Sequence, residues 1–186
     1  MIDLAHWATG NELTGPIEVE GEGDFPPRDA VWNTATSFHL NYKYASGMTS
    51  ELFTDAPGLK FEGTEGWLLS RGWRAGATSN KPELLDTVLD EDQRLRRPRT
   101  DGQGGEHMEF TDAIKEGRQA YAPAEIGHRT ISVAHIGNIA MQLGRKLDWD
   151  PDNEEFLNDE AANALLSREQ REPWTLDNVD SWINVG

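Results

Sequence analysis

The stretch TSFHLNYKYASG, residues 36–47, restricts the fold more than any other part of the chain. Phe38, Leu40, Tyr42 and Tyr44 fall on one side of an extended backbone, and His39, Asn41 and Lys43 on the other. Strict alternation of this kind belongs to a strand with one face buried and the other in water. Ser46-Gly47 supplies a turn, and MTSELFT returns as a second strand, which makes a hairpin. PIEVEGEG alternates Ile17 and Val19 with Glu18 and Glu20, the pattern of another half-exposed strand. GLKFEG, a Gly63-Thr64-Glu65-Gly66 turn and WLLSRGW predict a further hairpin. Residues 16–75 are therefore expected to form an antiparallel, aromatic-rich sheet, with adjacent strands over residues 34–71.

The period changes after Lys81. PELLDTVLDEDQRL reads as a short helix or an irregular excursion. EHMEFTDAIKEGR places Phe110, Ala113, Ile114 and Gly117 at i, i+3, i+4 and i+7, an amphipathic helix ending in basic residues that suit its dipole. APAEIGHRTISVAHIGNIAMQLGRK predicts a longer helix, with Pro123 near its start and Gly144 at its end. It is apolar nearly all round, so burial on most sides is expected, with His135 a packed core histidine and His128 open to solvent or a cleft. DEAANALLSREQREP predicts a last short helix stopped at Pro173. At the other end, Ile2, Leu4, Trp7 and Ala8 predict a helix from the first residues, stopped at Gly10, with no capping residue before it except Met1. Strands first and helices after indicate α+β: one domain over 1–186, a large, mainly antiparallel sheet with helices packed on one face.

The chain carries 17 Lys+Arg against 33 Asp+Glu, net −16. Such a field repels polyanions, which argues against nucleic acid and against anionic membrane surfaces as partners. The basic cluster RLRRPR at Arg94–Arg99 is a local exception and reads as part of a solvated loop. With no cysteine there are no disulfides, thiolate metal sites or thiol nucleophiles. No apolar run reaches the length of a membrane span, and the first residues lack a signal-peptide pattern. A soluble, cytoplasmic protein is expected, with export of a longer product left open.

No G-x-G-x-x-G follows a strand, and no P-loop, nucleophile-elbow or H-E-x-x-H motif is present. LDWDPDNEEFLND spaces Asp148, Asp150, Asp152 and Asp159 like a calcium loop. However, Asn153 replaces the glycine, Pro151 interrupts, and Asp159 replaces the bidentate glutamate, so an acidic connecting loop is the better reading. The histidines lack metal-ligand spacing, and no metal site is expected. Asp3 and His6, one turn apart, could face a ligand together, but spacing alone favours a solvated first turn.

Read together, IDLAHWATG, TGPIEVEGEGDFP, VWNTATSFHLNYKYASGM, GLKFEGTEGW and the long segment from AEIGHR to REPW resemble the carboxy-terminal domain of the Gfo/Idh/MocA oxidoreductases. The likeness is to a bacterial branch abundant in planctomycete-like genomes, and it covers essentially the whole chain. On this resemblance residues 1–10 are the tail of a junction helix, 16–75 the sheet region and 106–172 the helical region. The family implies an amino-terminal Rossmann domain binding NAD(P), a sugar or polyol pocket, and homo-oligomers built through the open sheet face. It also implies a catalytic Asp, His and Lys upstream: Asp3 matches the last residue of a D-x-G-x-H-x-x-D segment whose His would directly precede Met1. No catalytic or coenzyme-binding residue is therefore assigned within the chain, and alone it is expected to be inactive. The substrate-binding residues implied are Asp3, with Trp7 beside it, and His128 and Arg129 at the start of the long helix. A standalone carbohydrate- or partner-binding module is the alternative, and a redox-assisted glycosidase a weaker third.

Overall fold

A computed structural model describes residues 1–55, 57–72, 75–88, 90 and 105–178. The basic cluster at Arg94–Arg99 and most of the second half of PELLDTVLDEDQRL lie outside these residues. What is described of that excursion is irregular apart from a single 3-10 turn at Pro82–Leu84.

The alternating stretch is strand β2, Ser37–Lys43, and its hairpin partner is β3, Thr49–Phe53, with Leu40 opposite Leu52 and Tyr42 opposite Ser50. On its other side β2 pairs antiparallel along the whole of β1, Glu18–Asp24. The second predicted hairpin is β4, Leu59–Glu62, with β5, Trp67–Ser70, extended by β6, Thr78–Ser79. The expectation of one sheet over 16–75 needs correction. The order is β3-β2-β1-β7-β8 in one sheet and β4-β5-β6 in a second. The acidic connecting loop supplies the missing edge, as β7, Leu147–Asp150, and β8, Glu155–Phe156. Leu147 and Trp149 are the reason: both are buried, and they alternate with polar Asp148 and Asp150.

Four helices accompany the sheets among the described residues: α1 (Ile2–Thr9), α2 (Gly105–Glu116), α3 (Ala124–Leu143) and α4 (Glu160–Asn163). Helices α1 and α3 end at Gly10 and Gly144, both in the left-handed conformation. Helix α3 lies across β1, and α1 packs on α3. The core between them contains Val19, Leu40, Tyr42, Val133, Ile136, Ile139, Ala140, Leu147, Trp149 and Phe156.

The contact that sets this packing is between Tyr42 and α3. The Tyr42 hydroxyl donates to the Val133 carbonyl at 3.1 Å. A Cβ on Gly137 would stand 2.2 Å from that hydroxyl and 2.8 Å from Leu40 Cδ1. Only glycine lets the helix come this close.

Two helical expectations fail in part. His135 is exposed, not packed in the core. Helix α3 buries Val133, Ile136, Gly137, Ile139 and Ala140 on one side, and His135 shares the opposite ridge with Ile131, which is 51% exposed. Most of its large apolar residues lie on the buried side, while Ala124, Gly127 and Ile131 stay exposed. The last helix is only one turn. Asp159 caps it by accepting from Ala162 N, and Asn163 then turns its side chain back to both backbone groups of Phe156. That pairing stops the helix ten residues before Pro173. Helix α2 forms as expected, but Phe110 and Ile114 on its apolar face stay exposed.

Gly137→Ala should destabilise the fold. Alanine gains up to about 1 kcal/mol of helix propensity, but overpacking against a hydrogen-bonded ring typically costs about 1–3 kcal/mol. The expected result is a melting temperature lower by about 2–4 °C in calorimetry for each net kcal/mol lost; an unchanged or raised value would show that Tyr42 can move aside.

Candidate functional site

The four residues expected at the site lie on α1 and on the first half of α3. Asp3 is exposed, and its Oδ1 accepts from the Thr130 hydroxyl of α3 at 3.5 Å. Trp7, one turn further along α1, keeps 43% of its surface open. His128 is exposed, as expected, and its Nε2 lies 2.6 Å from Glu154 Oε1. Arg129 is more enclosed. Its Nε donates to Glu125 Oε1 at 2.7 Å, one Nη donates to the Pro151 carbonyl, and that nitrogen is 3.4 Å from Glu154 Oε1.

The structure brings His128 and Arg129 together through Glu154, while Asp3 sits apart from them. Residues two apart on a helix point about 200° from one another. Thr130, with Asp3 against it, therefore lies on the α1 side of α3, and His128 lies on the flank toward the β7–β8 turn. The exposed ridge carrying Ile131 runs between them. Beneath Arg129 is a cavity of about 10 Å³ lined by Thr14, Gly15, Ser132, Trp149 and Glu154. That is room for about one water and no sugar, so a ligand here rests on the ridge.

Sequence reasoning missed Glu154. It sits in the β7–β8 turn, where its N–H donates to the Asp150 carbonyl at 2.8 Å and its φ is 55°. Left-handed backbone is unusual for glutamate and favours glycine or asparagine. A neighbouring acid is occupied by the same turn. Asp150 accepts from the N–H groups of Asp152 and Asn153 and from the Asn153 side chain, which holds its carboxyl below the usual range. Of the four aspartates spaced like calcium ligands, Asp150 thus builds the turn and Asp159 caps α4; no cluster of three or more metal-ligating side chains occurs among the described residues.

His6 was also misread. It is buried at 1% exposure instead of lying on a solvated turn. Its Nε2 shares a 2.8 Å hydrogen bond with the Tyr44 hydroxyl, the rings meet edge to face, and its Nδ1 has no partner. Burial lowers the affinity of this imidazole for a proton, opposed by the nearby Asp3 carboxylate. Burial likewise pushes the Tyr44 hydroxyl up to about 12. The pair anchors α1 to the end of β2 and thereby holds Asp3 and Trp7 outward.

A wider, shallower concavity, about 420 Å³, lies near the far end of α3, lined by Glu20, Glu22, His39, Asn41, Arg145 and Lys146. None of the four expected residues reaches it.

Over residues 1–176 the chain matches a family model described as oxidoreductase family, C-terminal alpha/beta domain, of the Gfo/Idh/MocA group. The chain belongs to this family. No curated protein matches it. Among solved structures it is similar to an aldose-aldose oxidoreductase from Caulobacter crescentus complexed with glycerol, at a TM-score of 0.54 and 13% identity. That similarity covers 79% of this chain and 44% of the other, and at this identity it establishes the fold alone. Both sheets are antiparallel, and no glycine-rich turn from a parallel strand into a helix occurs among the described residues.

His6 predicts a pH response. An unfolded imidazole takes its proton near the ordinary value of 6.5, whereas folded His6 resists it. Stability is then complete above that value and falls as pH drops through 6.5 toward 5.5, with a slope of at most about 1.4 kcal/mol per pH unit. In His6→Gln this part of the slope should vanish in denaturant titrations at pH 7.5 and 5.5. An equal slope in both proteins would place the response elsewhere.

Proposed function

We propose that the chain is the substrate-binding and oligomerisation part of an NAD(P)-dependent sugar or polyol oxidoreductase, with the hydride chemistry carried by residues outside these 186. The observation that supports this most directly is the outward display of Asp3, Trp7 and His128 along the α1–α3 surface. A carboxylate and an imidazole suit hydroxyl groups, and a half-open indole suits the apolar face of a sugar ring. The glycerol in the related aldose-aldose oxidoreductase is a small polyol and fits the same reading. The pairing of FEGTEGW with GRKLDWDP supports the planctomycete-like bacterial branch.

The protein expressed from its full reading frame, compared with this chain, tests the proposal. NADH should bind only the longer product, and titration calorimetry should detect a neutral sugar or polyol. Asp3→Asn and His128→Ala should each weaken that binding by about 10-fold, the loss of one or two hydrogen bonds, while melting temperatures move by less than about 2 °C, since both side chains are exposed. Tight sugar binding by the short chain with no longer product would favour the standalone module instead.

Oligomers are proposed to form through the open sheet face. That face carries Glu18, Glu20, Glu22, Glu51 and Asp148 against Lys43, Lys146 and His39. Lys43 and Lys146 are both spent on Glu18, whose carboxyl they hold down at about 2. Two copies of so acidic a face repel, and salt screens the repulsion. Dimerisation followed by sedimentation should therefore strengthen between about 0.05 and 0.5 M NaCl, where the screening length falls from roughly 14 to 4 Å; weakening would argue for a different face.

A further inference from the structure

The charge and hydrogen-bond polarity around His128 go further than "sugar". Glu154 Oε1 is 2.6 Å from His128 Nε2, and a carboxylate can only accept. In the neutral imidazole the proton therefore sits on Nε2, and Nδ1 is left as an acceptor with no protein partner among the described residues. Glu154 is itself held by Arg129 at 3.4 Å, and Arg129 is tied to Glu125 at 2.7 Å and to the Pro151 carbonyl. The Arg129 side chain is only 18% exposed, and its guanidinium is flanked by two carboxylates. The surface thus sets one enclosed cation against Glu125, Glu154 and, across the ridge, Asp3. The α3 N-terminus would attract an anion, but Glu125 already occupies its first turn. Glu154 keeps this position although its φ of 55° suits a glycine better.

We infer that Glu154 is a positioning residue that locks His128 with Nδ1 outward, and that the α1–α3 ridge therefore selects uncharged polyols over phosphorylated or acidic sugars. A hydroxyl can donate to Nδ1 and to the Asp3 carboxylate; a phosphate or carboxylate cannot, and meets like charge. The inference rests on the sugar-site reading above and names its ligand class.

The test uses the protein from the full reading frame at pH 8, with D-glucose and myo-inositol as neutral probes and D-glucose 6-phosphate and D-gluconate as anionic ones. A neutral probe should bind at least about 10-fold more tightly than either anion, a difference of about 1.4 kcal/mol. Glu154→Gln keeps an acceptor for Nε2 but removes the charge. It should narrow the gap between neutral and anionic probes by about 3-fold or more, as expected for one nearby charge in partly solvated surroundings. Glu154→Ala should weaken neutral binding by about 5-fold or more, because the imidazole is no longer held. A merely structural role for Glu154 would weaken both classes alike in both variants, and that result overturns the inference. An anionic probe binding as tightly as the neutral ones overturns it too, while leaving the sugar site standing. No binding by any of the four overturns the site and the inference together.

Discussion

The approach of α3 to the sheet at Gly137 is the constraint on which the rest of the structure depends. Tyr42 reaches from the middle of β2 under the helix and ends on the Val133 carbonyl. The missing side chain at Gly137 makes the room. Once α3 is fixed there, its first turns stand against the β7–β8 turn, and its last turn delivers the chain to β7 beside β1. Helix α1 then has one surface to pack on, and the His6–Tyr44 contact holds it at the end of the same strand. Two tyrosines two positions apart, one on β2 and one just past its end, thus place both helices that carry the candidate site. Both hydroxyls are removed from water and bonded inside, so the contacts are specific as well as apolar.

Charges close the far end. Arg145 pairs with Asp159, the cap of α4, and Lys146 with Glu18 of β1. They fasten the turn after α3 to the middle strand of the sheet and to the last helix. Such pairs at the surface contribute modestly one at a time, but they use up most of the cations near β1. What remains on the open sheet face is negative, in keeping with the net charge of −16.

Where one residue type determines local structure, the sequence was legible. The alternation of residues 38–44 yields β2 with the expected faces, and Gly10, Gly47 and Gly144 stop or turn the chain where a left-handed residue was required. Tertiary choices were harder to read. His135 looked like a core residue because α3 is apolar in composition, yet Ala, Gly and Ile131 on its outer ridge need no cover at all. The acidic LDWDPDNEEF segment hid two strands behind its aspartates; Leu147, Trp149 and Phe156, all buried, were the signal, at a spacing too short to stand out. His6 could be recognised only once Tyr44, 38 residues away, was seen to reach it. Glu154 had no local mark either, since its importance comes from side chains 25 and 26 residues earlier on α3.

The His128–Glu154 pair has the form of an oriented base, a carboxylate behind an imidazole. Form alone does not make it catalytic in this domain. Hydride transfer needs an acceptor next to the carbon that loses the hydride, and the pair by itself supplies none. An imidazole held in one tautomer is equally what a binding surface needs to tell a hydroxyl from an anion. The pair differs from a purely structural ion bridge in one respect: its outward nitrogen has no protein partner among the described residues. A fold that spends Arg129 on Glu125 and Glu154, and a strained backbone on Glu154, while leaving that nitrogen open has fixed the polarity of the surface before any ligand arrives.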